Sequence, residues 1–142
     1  SDVSREEIEE IYALRELIEG YAIRHSIPKL TEQHIALLHD LYKAMKKSAS
    51  EDNLYEMIKQ DMDFHGLFYE LCGNKTILNV WNQINTKIRR FQAITNKIYF
   101  PHLEAVADSH LPLLEVLNTK NVDQIEEQFI LHMKEVWWRM NN

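Results

Sequence analysis

The chain has 142 residues, a length that suits one domain with its own hydrophobic core. It contains only three Gly and three Pro, and its long stretches of Glu, Lys, Leu and Ile favour an all-helical protein with short turns. The formal net charge of −6 argues against nucleic-acid binding through the chain's own surface, and no apolar run approaches the roughly 20 residues of a membrane-spanning helix.

Two amphipathic helices are predicted at the start of the chain. The first spans about Ser4–His25, because Ser4 followed by Glu7 fits a capping box. The second spans about Thr31–Ser48 and ends ahead of a polar loop. Apolar residues recur at helical spacing in both, at Ile8, Ile11, Leu14, Ile18 and Ala22 in the first and at Ile35, Leu38, Leu41, Tyr42 and Met45 in the second.

Two more helices are predicted in the middle of the chain. The third covers about Asp52–Leu71 and ends ahead of Gly73, a residue type that suits the C′ position. The fourth opens at Asn74 or Lys75 and stops before Pro101. Its apolar seam consists of Ile77, Trp81, Ile84, Ile88, Phe91 and Ile94.

The last two predicted helices, about His102–Leu117 and Val122–Met140, form a hairpin that brings two histidines to one level. His110 and His132 are equidistant in sequence from Asn121 in the turn, so each lies about 16 Å up its helix at a rise of about 1.5 Å per residue. Each also shares a face with apolar residues, so both are expected to point into the bundle.

These elements predict an all-α fold, a single antiparallel helical bundle that forms one domain over residues 1–142. The sequence contains no internal repeat or composition break that would mark a second domain. Cys72 is the only cysteine, which excludes an intrachain disulfide. A reducing, cytoplasmic compartment is the simplest interpretation.

A carboxylate and three imidazoles are predicted to meet in the core of this bundle. Asp61 and His65 lie one helical turn apart on or beside the apolar stripe of the third helix, where buried polar groups need partners. Together with His110 and His132 they make a donor set that suits borderline divalent metals such as zinc, nickel, cobalt, copper or iron. The alternative is a hydrogen-bonded polar core without a metal.

Arg15 falls within the apolar seam of the first helix, and buried arginine is rare unless it is paired. One interpretation is a salt bridge with Glu19, one turn further on. The other is that Arg15 lines a cavity beside the metal, where its guanidinium binds the carboxylate of a small ligand in bidentate fashion.

Over almost its whole length the chain resembles the FCD domain, the C-terminal effector-binding and dimerisation domain of FadR-subfamily regulators within the GntR type of bacterial transcription regulators. An Asp-x-x-x-His pair with two later histidines at these spacings is typical of the metal-binding branch of that family. The segments that carry the resemblance are Leu14–Glu19, the run from Asp61 through Phe64 and His65 to Gly73 and Asn74, His110 with Leu114–Leu117, and Val122 and Asp123 leading to His132.

The resemblance implies a FadR C-terminal domain-like bundle of six to seven helices and no enzymatic activity. It implies a divalent metal, zinc first and nickel next, held by Asp61, His65, His110 and His132, with Arg15 contacting a small organic acid effector. It also implies a homodimer, no membrane partner, and operator DNA bound through an N-terminal winged helix-turn-helix domain that is absent from this chain.

Two other functions fit the same donor set. A metalloenzyme acting on a small acid is one, although four protein ligands exceed the three of most catalytic zinc sites. The sequence also offers no convincing general base beside the ligands, because Asp63 lies on a different helix face from Asp61 and His65. A purely structural metal that holds the bundle together is the other.

Overall fold

The computed structural model describes residues 4–100 and 102–141, apart from the side chains of Lys97, Tyr99 and 136–141. This part of the chain is helical and contains no strand, which confirms the all-α prediction. None of its helices is both long enough and apolar enough to cross a bilayer. The helices are α1 (Arg5–Ser26), α2 (Glu32–Ser50), α3 (Leu54–Leu71), α4 (Lys75–Tyr99), α5 (Leu103–Asp108), α6 (Leu111–Leu117) and α7 (Val122–Asn141), with a turn of 3-10 helix (Ile27–Lys29) after α1.

Short polar side chains begin helices α1 to α4, because their oxygens satisfy backbone N–H groups that have no partner within the helix. The capping box predicted at Ser4 is half formed. The N–H of Glu7 donates to Ser4 Oγ at 3.1 Å, whereas the Glu7 carboxylate contacts Lys87 Nζ at 3.0 Å. The capping residues are Ser4, Thr31, Asn53 and Asn74.

The end of α3 depends on a glycine in the left-handed region, as the sequence predicts. Gly73 follows the C-cap residue Cys72 and has a φ of +81°, which L side chains rarely adopt. A Cβ at this position would also lie 2.7 Å from Lys29 Nζ, although that flexible side chain can move away.

Replacing this residue, Gly73→Ala, is expected to lower the free energy of unfolding by about 1 kcal/mol, because the backbone strain of positive φ then falls on a residue with a Cβ. Gly66→Ala is the matched control. Gly66 lies inside α3, and an added Cβ would meet Trp81 Nε1 at an ordinary 3.4 Å. Urea unfolding of both variants checks this, and equal stability of the two would contradict it.

The fifth predicted helix, His102–Leu117, is wrong as a single element, because the structure divides it into α5 and α6. Pro112 lies in the first turn of α6 and has no N–H to donate to the carbonyl of Asp108, so a continuous helix would lose a hydrogen bond there. His110 consequently lies at the N-cap of α6 rather than inside a helix.

The buried faces of α1 and α4 are more polar than the apolar periodicity indicates. α1 packs against α3, α4 and α7, while α2 packs on α3 and α5, and α6 packs on α7. The predicted apolar seams include Leu14 and Ile94, but both are exposed. The buried polar residues on these two helices are Arg15, Glu19 and Ser26 on α1 and Gln92, Thr95 and Asn96 on α4.

Candidate metal centre

α3 places Asp61 and His65 one turn apart, both buried, with His65 Nε2 3.4 Å from Asp61 Oδ1. The other ring nitrogen of His65, Nδ1, lies 2.9 Å from Glu19 Oε2. Burial lowers the pKa of His65, but Glu19 and the hydrogen bond to Asp61 outweigh it, so this pKa lies above its usual value. In the neutral ring, a proton held on Nδ1 by Glu19 leaves the Nε2 lone pair available to a metal ion on the side of Asp61.

His110 presents a ring nitrogen to the same carboxylate from the break between α5 and α6. Its Nδ1 lies 3.1 Å from the carbonyl oxygens of Val106 and Ala107, and because a carbonyl only accepts, Nδ1 carries the hydrogen. Nε2 lies 2.8 Å from Asp61 Oδ1. Two acceptors that face each other at this distance need a proton or a cation between them.

His132 comes from α7 and completes the group. Its ring stacks on His65 at a centroid distance of 5.2 Å and meets His110 edge-on at 4.7 Å. Burial, together with the neighbouring His110 and His65, holds the pKa of His132 well below its usual value, which favours the neutral, metal-binding form. Its Nδ1 is buried and has no hydrogen-bond partner in the part of the chain that the structure describes.

The four predicted ligands are therefore together in space, and their geometry fits a divalent ion. One ligand atom from each of Asp61, His65, His110 and His132 lies within 4.8 Å of the others. A zinc ion with bonds of about 2.1 Å requires ligand atoms no more than about 4.2 Å apart, so small side-chain movements suffice. Burial raises the pKa of Asp61, but His110 and His65 outweigh it and hold it well below its usual value, so the carboxylate is ionised.

A second layer of side chains supports the cluster, and its central member is Glu19. Glu19 Oε1 lies 3.3 Å from Arg15 Nε and accepts a hydrogen bond of 2.5 Å from the Tyr69 hydroxyl, while Oε2 contacts His65. Burial raises the pKa of Glu19, but Arg15 and His65 lower it to about 2, so the carboxylate stays ionised. Sequence reasoning identified Glu19 only as an ion-pair partner for Arg15.

The salt bridge predicted between Arg15 and Glu19 is present, and Arg15 also lies beside the candidate metal ligands. Its side chain is 2% exposed, pairs with Glu19, and lines the same small cavity as the four candidate ligands. The guanidinium also lies over the Trp81 ring, 5.4 Å from its centroid. Arg15 contacts Glu19 through Nε, and because a guanidinium has five N–H donors, it can donate to a further acceptor as well.

The cavity beside the cluster is about 20 Å³, room for one ion or one water molecule. α4 contributes Gln92 and Asn96 to its wall, and sequence reasoning missed both. A signal was present, because Ile88, Gln92 and Asn96 follow one another at a spacing of four residues and so lie on one helix face.

A larger cleft of about 890 Å³ adjoins this cavity on the side of α5, α6 and α7. The residues that line both spaces are Phe100, Ser109, His132 and Glu135. Pro112 and Leu131 add apolar surface to the cleft. Its volume is typical of sites for small organic ligands, so a molecule in the cleft would lie next to the cluster.

Residues 10–135 match the family model of the FCD domain. Two curated relatives are transcriptional regulators by name. The "Nta operon transcriptional regulator" of Aminobacter aminovorans is 26% identical over 125 residues, which cover 88% of this chain and 57% of that protein. The "Uncharacterized HTH-type transcriptional regulator YdhC" of Bacillus subtilis (strain 168) is 22% identical over 135 residues, which cover 93% of this chain and 59% of that protein. The chain thus spans somewhat more than half the length of either relative.

Among solved structures, E. coli McbR/YncC has the same fold, with a TM-score of 0.84 over 99% of this chain and 71% of that one. The sequence identity is 14%, so the likeness concerns the fold alone.

Proposed function

The chain belongs to the FCD domain family, and we propose that it is the effector-binding domain of a GntR-type transcriptional regulator, one that senses a small carboxylic acid through a bound divalent metal. The observation that carries this proposal is the convergence on one cavity of the buried Arg15 and four candidate metal-binding side chains, of which three are buried and His132 is half-buried. A core that served packing alone would not require this concentration of ionisable groups.

The ligands are Asp61, His65, His110 and His132. Their nitrogen and oxygen donors suit borderline divalent metals, and the resemblance to the metal-binding branch of the FCD family puts zinc first and nickel next. The metal, when bound, supplies a Lewis-acidic position for a carboxylate oxygen of the effector. Hydrogen bonds from His65 to Glu19 and from His110 to backbone carbonyls fix which nitrogen each ring presents.

The effector acid reaches the cluster from the adjoining cleft. The inner cavity of about 20 Å³ is too small for an organic acid, whereas the cleft of about 890 Å³ is not. Movement of Phe100, which lines both spaces, would join them without displacing the metal ligand His132. Arg15, which lines the inner cavity but not the cleft, then binds the carboxylate of the acid.

Acid binding controls transcription by favouring one arrangement of the helices over another. A ligand shifts such an equilibrium only through its different affinity for the two states. The named relatives support a regulatory role. In the proposed full-length protein, which works in the cytoplasm, a winged helix-turn-helix domain outside this chain binds operator DNA, and two copies pair to match a palindromic site.

Replacing Arg15→Lys is expected to weaken acid binding about tenfold while leaving metal affinity within about threefold. Lysine keeps a positive charge beside Glu19 but loses the planar fork that binds a carboxylate bidentately. The measurement is calorimetric titration of zinc and then of succinate or malate into the zinc-loaded chain. Arg24→Lys is the matched control, because Arg24 pairs with Asp123 and Glu126 at the surface.

Three outcomes of that titration separate the proposal from its rivals. Loss of zinc and acid binding in equal measure would refute the role assigned to Arg15. Conversion of an added acid to product would favour the metalloenzyme. Tight zinc binding with no acid binding in the parent chain would favour a structural metal.

A further inference from the structure

Two amide side chains on α4 are buried against the cluster, and three of their four polar atoms have no hydrogen-bond partner in the described part of the chain. Gln92 is 5% exposed and Asn96 is 1% exposed. Among the residues that the structure describes, none forms a hydrogen bond with Gln92 Oε1 or with Oδ1 and Nδ2 of Asn96. Buried polar atoms are nearly always paired, so these atoms indicate a binding partner that is not a side chain.

Thr95, a buried polar residue next to Asn96 on α4, has a hydroxyl that is paired with the backbone. Thr95 is 2% exposed, and its Oγ1 donates to the carbonyl of Phe91 at 3.0 Å. Asn96, the next residue, lines the cavity shared with Arg15 and His132, and its amide makes no such bond. The two residues are equally buried, and only Asn96 has polar side-chain atoms without a partner in the described part of the chain.

The chemistry of the amides defines what they bind. An amide nitrogen donates and an amide oxygen accepts, so a single group that satisfies both atoms of Asn96 must accept one hydrogen bond and donate another. A carboxylate only accepts, whereas a hydroxyl does both. The carboxylate of the ligand is already accounted for by Arg15 and the metal.

We infer that Gln92 and Asn96 bind a hydroxyl group of the effector, so that the domain selects hydroxylated carboxylic acids over their unsubstituted counterparts. The inference rests on the proposed function, since it assumes that an acid enters this cavity. The two amides determine specificity because they contact the hydroxyl group. The metal and Arg15 contact the carboxylate, which all of these acids have.

The test compares two variants of α4 that each remove a buried polar group at nearly constant volume. Asn96→Leu removes the unpaired amide, and Thr95→Val, the matched control, removes a hydroxyl that is paired with the backbone. Zinc-loaded parent and variants are titrated calorimetrically with malate against succinate and with lactate against propionate. Because a hydroxy acid also chelates zinc by itself, the diagnostic quantity is the change in preference between parent and variant.

Asn96→Leu is expected to reduce the preference for the hydroxylated acid about tenfold, while Thr95→Val leaves it unchanged. A second readout needs neither metal nor acid. Removing unpaired buried atoms should raise the melting temperature of the metal-free chain for Asn96→Leu but not for Thr95→Val. Gln92→Met repeats both measurements from the other amide.

An unchanged preference in both Asn96→Leu and Gln92→Met would overturn the inference and leave the proposed function intact. An equal loss of preference in Thr95→Val and Asn96→Leu would overturn it as well, because the effect would then come from packing. If neither malate, succinate, lactate nor propionate binds the zinc-loaded parent chain, the proposed function and this inference both fall.

Discussion

Replacing His110 or His132 with alanine is expected to abolish the rise in melting temperature that zinc produces in the parent chain. A ligand that binds only the folded state at about 100 times its Kd stabilises that state by about 2.7 kcal/mol. For a chain of this size that corresponds to a rise of roughly 8 °C. Losing one of four ligands leaves an incomplete site, so each variant should show almost no rise.

The measurement is thermal unfolding with and without zinc, compared within each variant, because His110→Ala also removes an aromatic contact with Phe64 at 4.9 Å. His39→Ala is the control, since His39 is an exposed histidine on α2. Zinc content per chain should be one equivalent in the parent and in His39→Ala. A full zinc-dependent rise in His110→Ala and His132→Ala would contradict the assigned ligand set.

Glu19→Gln is expected to produce the second large effect, on folding and metal binding together. The variant leaves the Arg15 guanidinium, which is 2% exposed, without its charged partner, and breaking a buried ion pair in this way costs about 3–5 kcal/mol. It also removes the carboxylate that orients His65, and loss of such an outer partner typically weakens metal binding about 10- to 100-fold. Urea unfolding of the metal-free chain and competition with a zinc chelator measure the two effects.

Glu16→Gln provides the control for Glu19→Gln on the same helix. Glu16 pairs with Lys134 at 2.9 Å, and both side chains are about half exposed, so the change should cost less than about 1 kcal/mol. It should not alter zinc affinity. Equal zinc affinities for the two variants would show that Glu19 has no part in positioning His65.

The sequence is sufficient to predict most of the helices because each has a strong local signal. Ser4, Thr31 and Asn74 cap helices near the predicted positions, and Gly73 ends α3. In the wrongly predicted helix, His102–Leu117, two signals conflict. The apolar periodicity favours one continuous helix, whereas Pro112, which has no N–H, favours a break. Periodicity alone does not show which of two compatible structures a proline favours.

The candidate site is less accessible to sequence reasoning, because its outer parts depend on tertiary contacts. The hairpin geometry predicts His110 and His132 at one level, and the two rings do meet, although His110 lies at a helix break. Glu19, Gln92 and Asn96 are polar residues at buried helix positions, and a search for apolar periodicity does not detect them. The same weighting places the exposed Ile94 in the seam.

The central claim is that Asp61, His65, His110 and His132 bind one divalent metal ion. Anomalous X-ray diffraction at the zinc edge, on crystals of the zinc-loaded chain, tests it most directly. The predicted result is one strong peak bonded at about 2.0–2.2 Å to a carboxylate oxygen and three imidazole nitrogens. A cluster without a peak, with His110 hydrogen-bonded directly to Asp61, would contradict the claim and would identify these residues as a metal-free polar core.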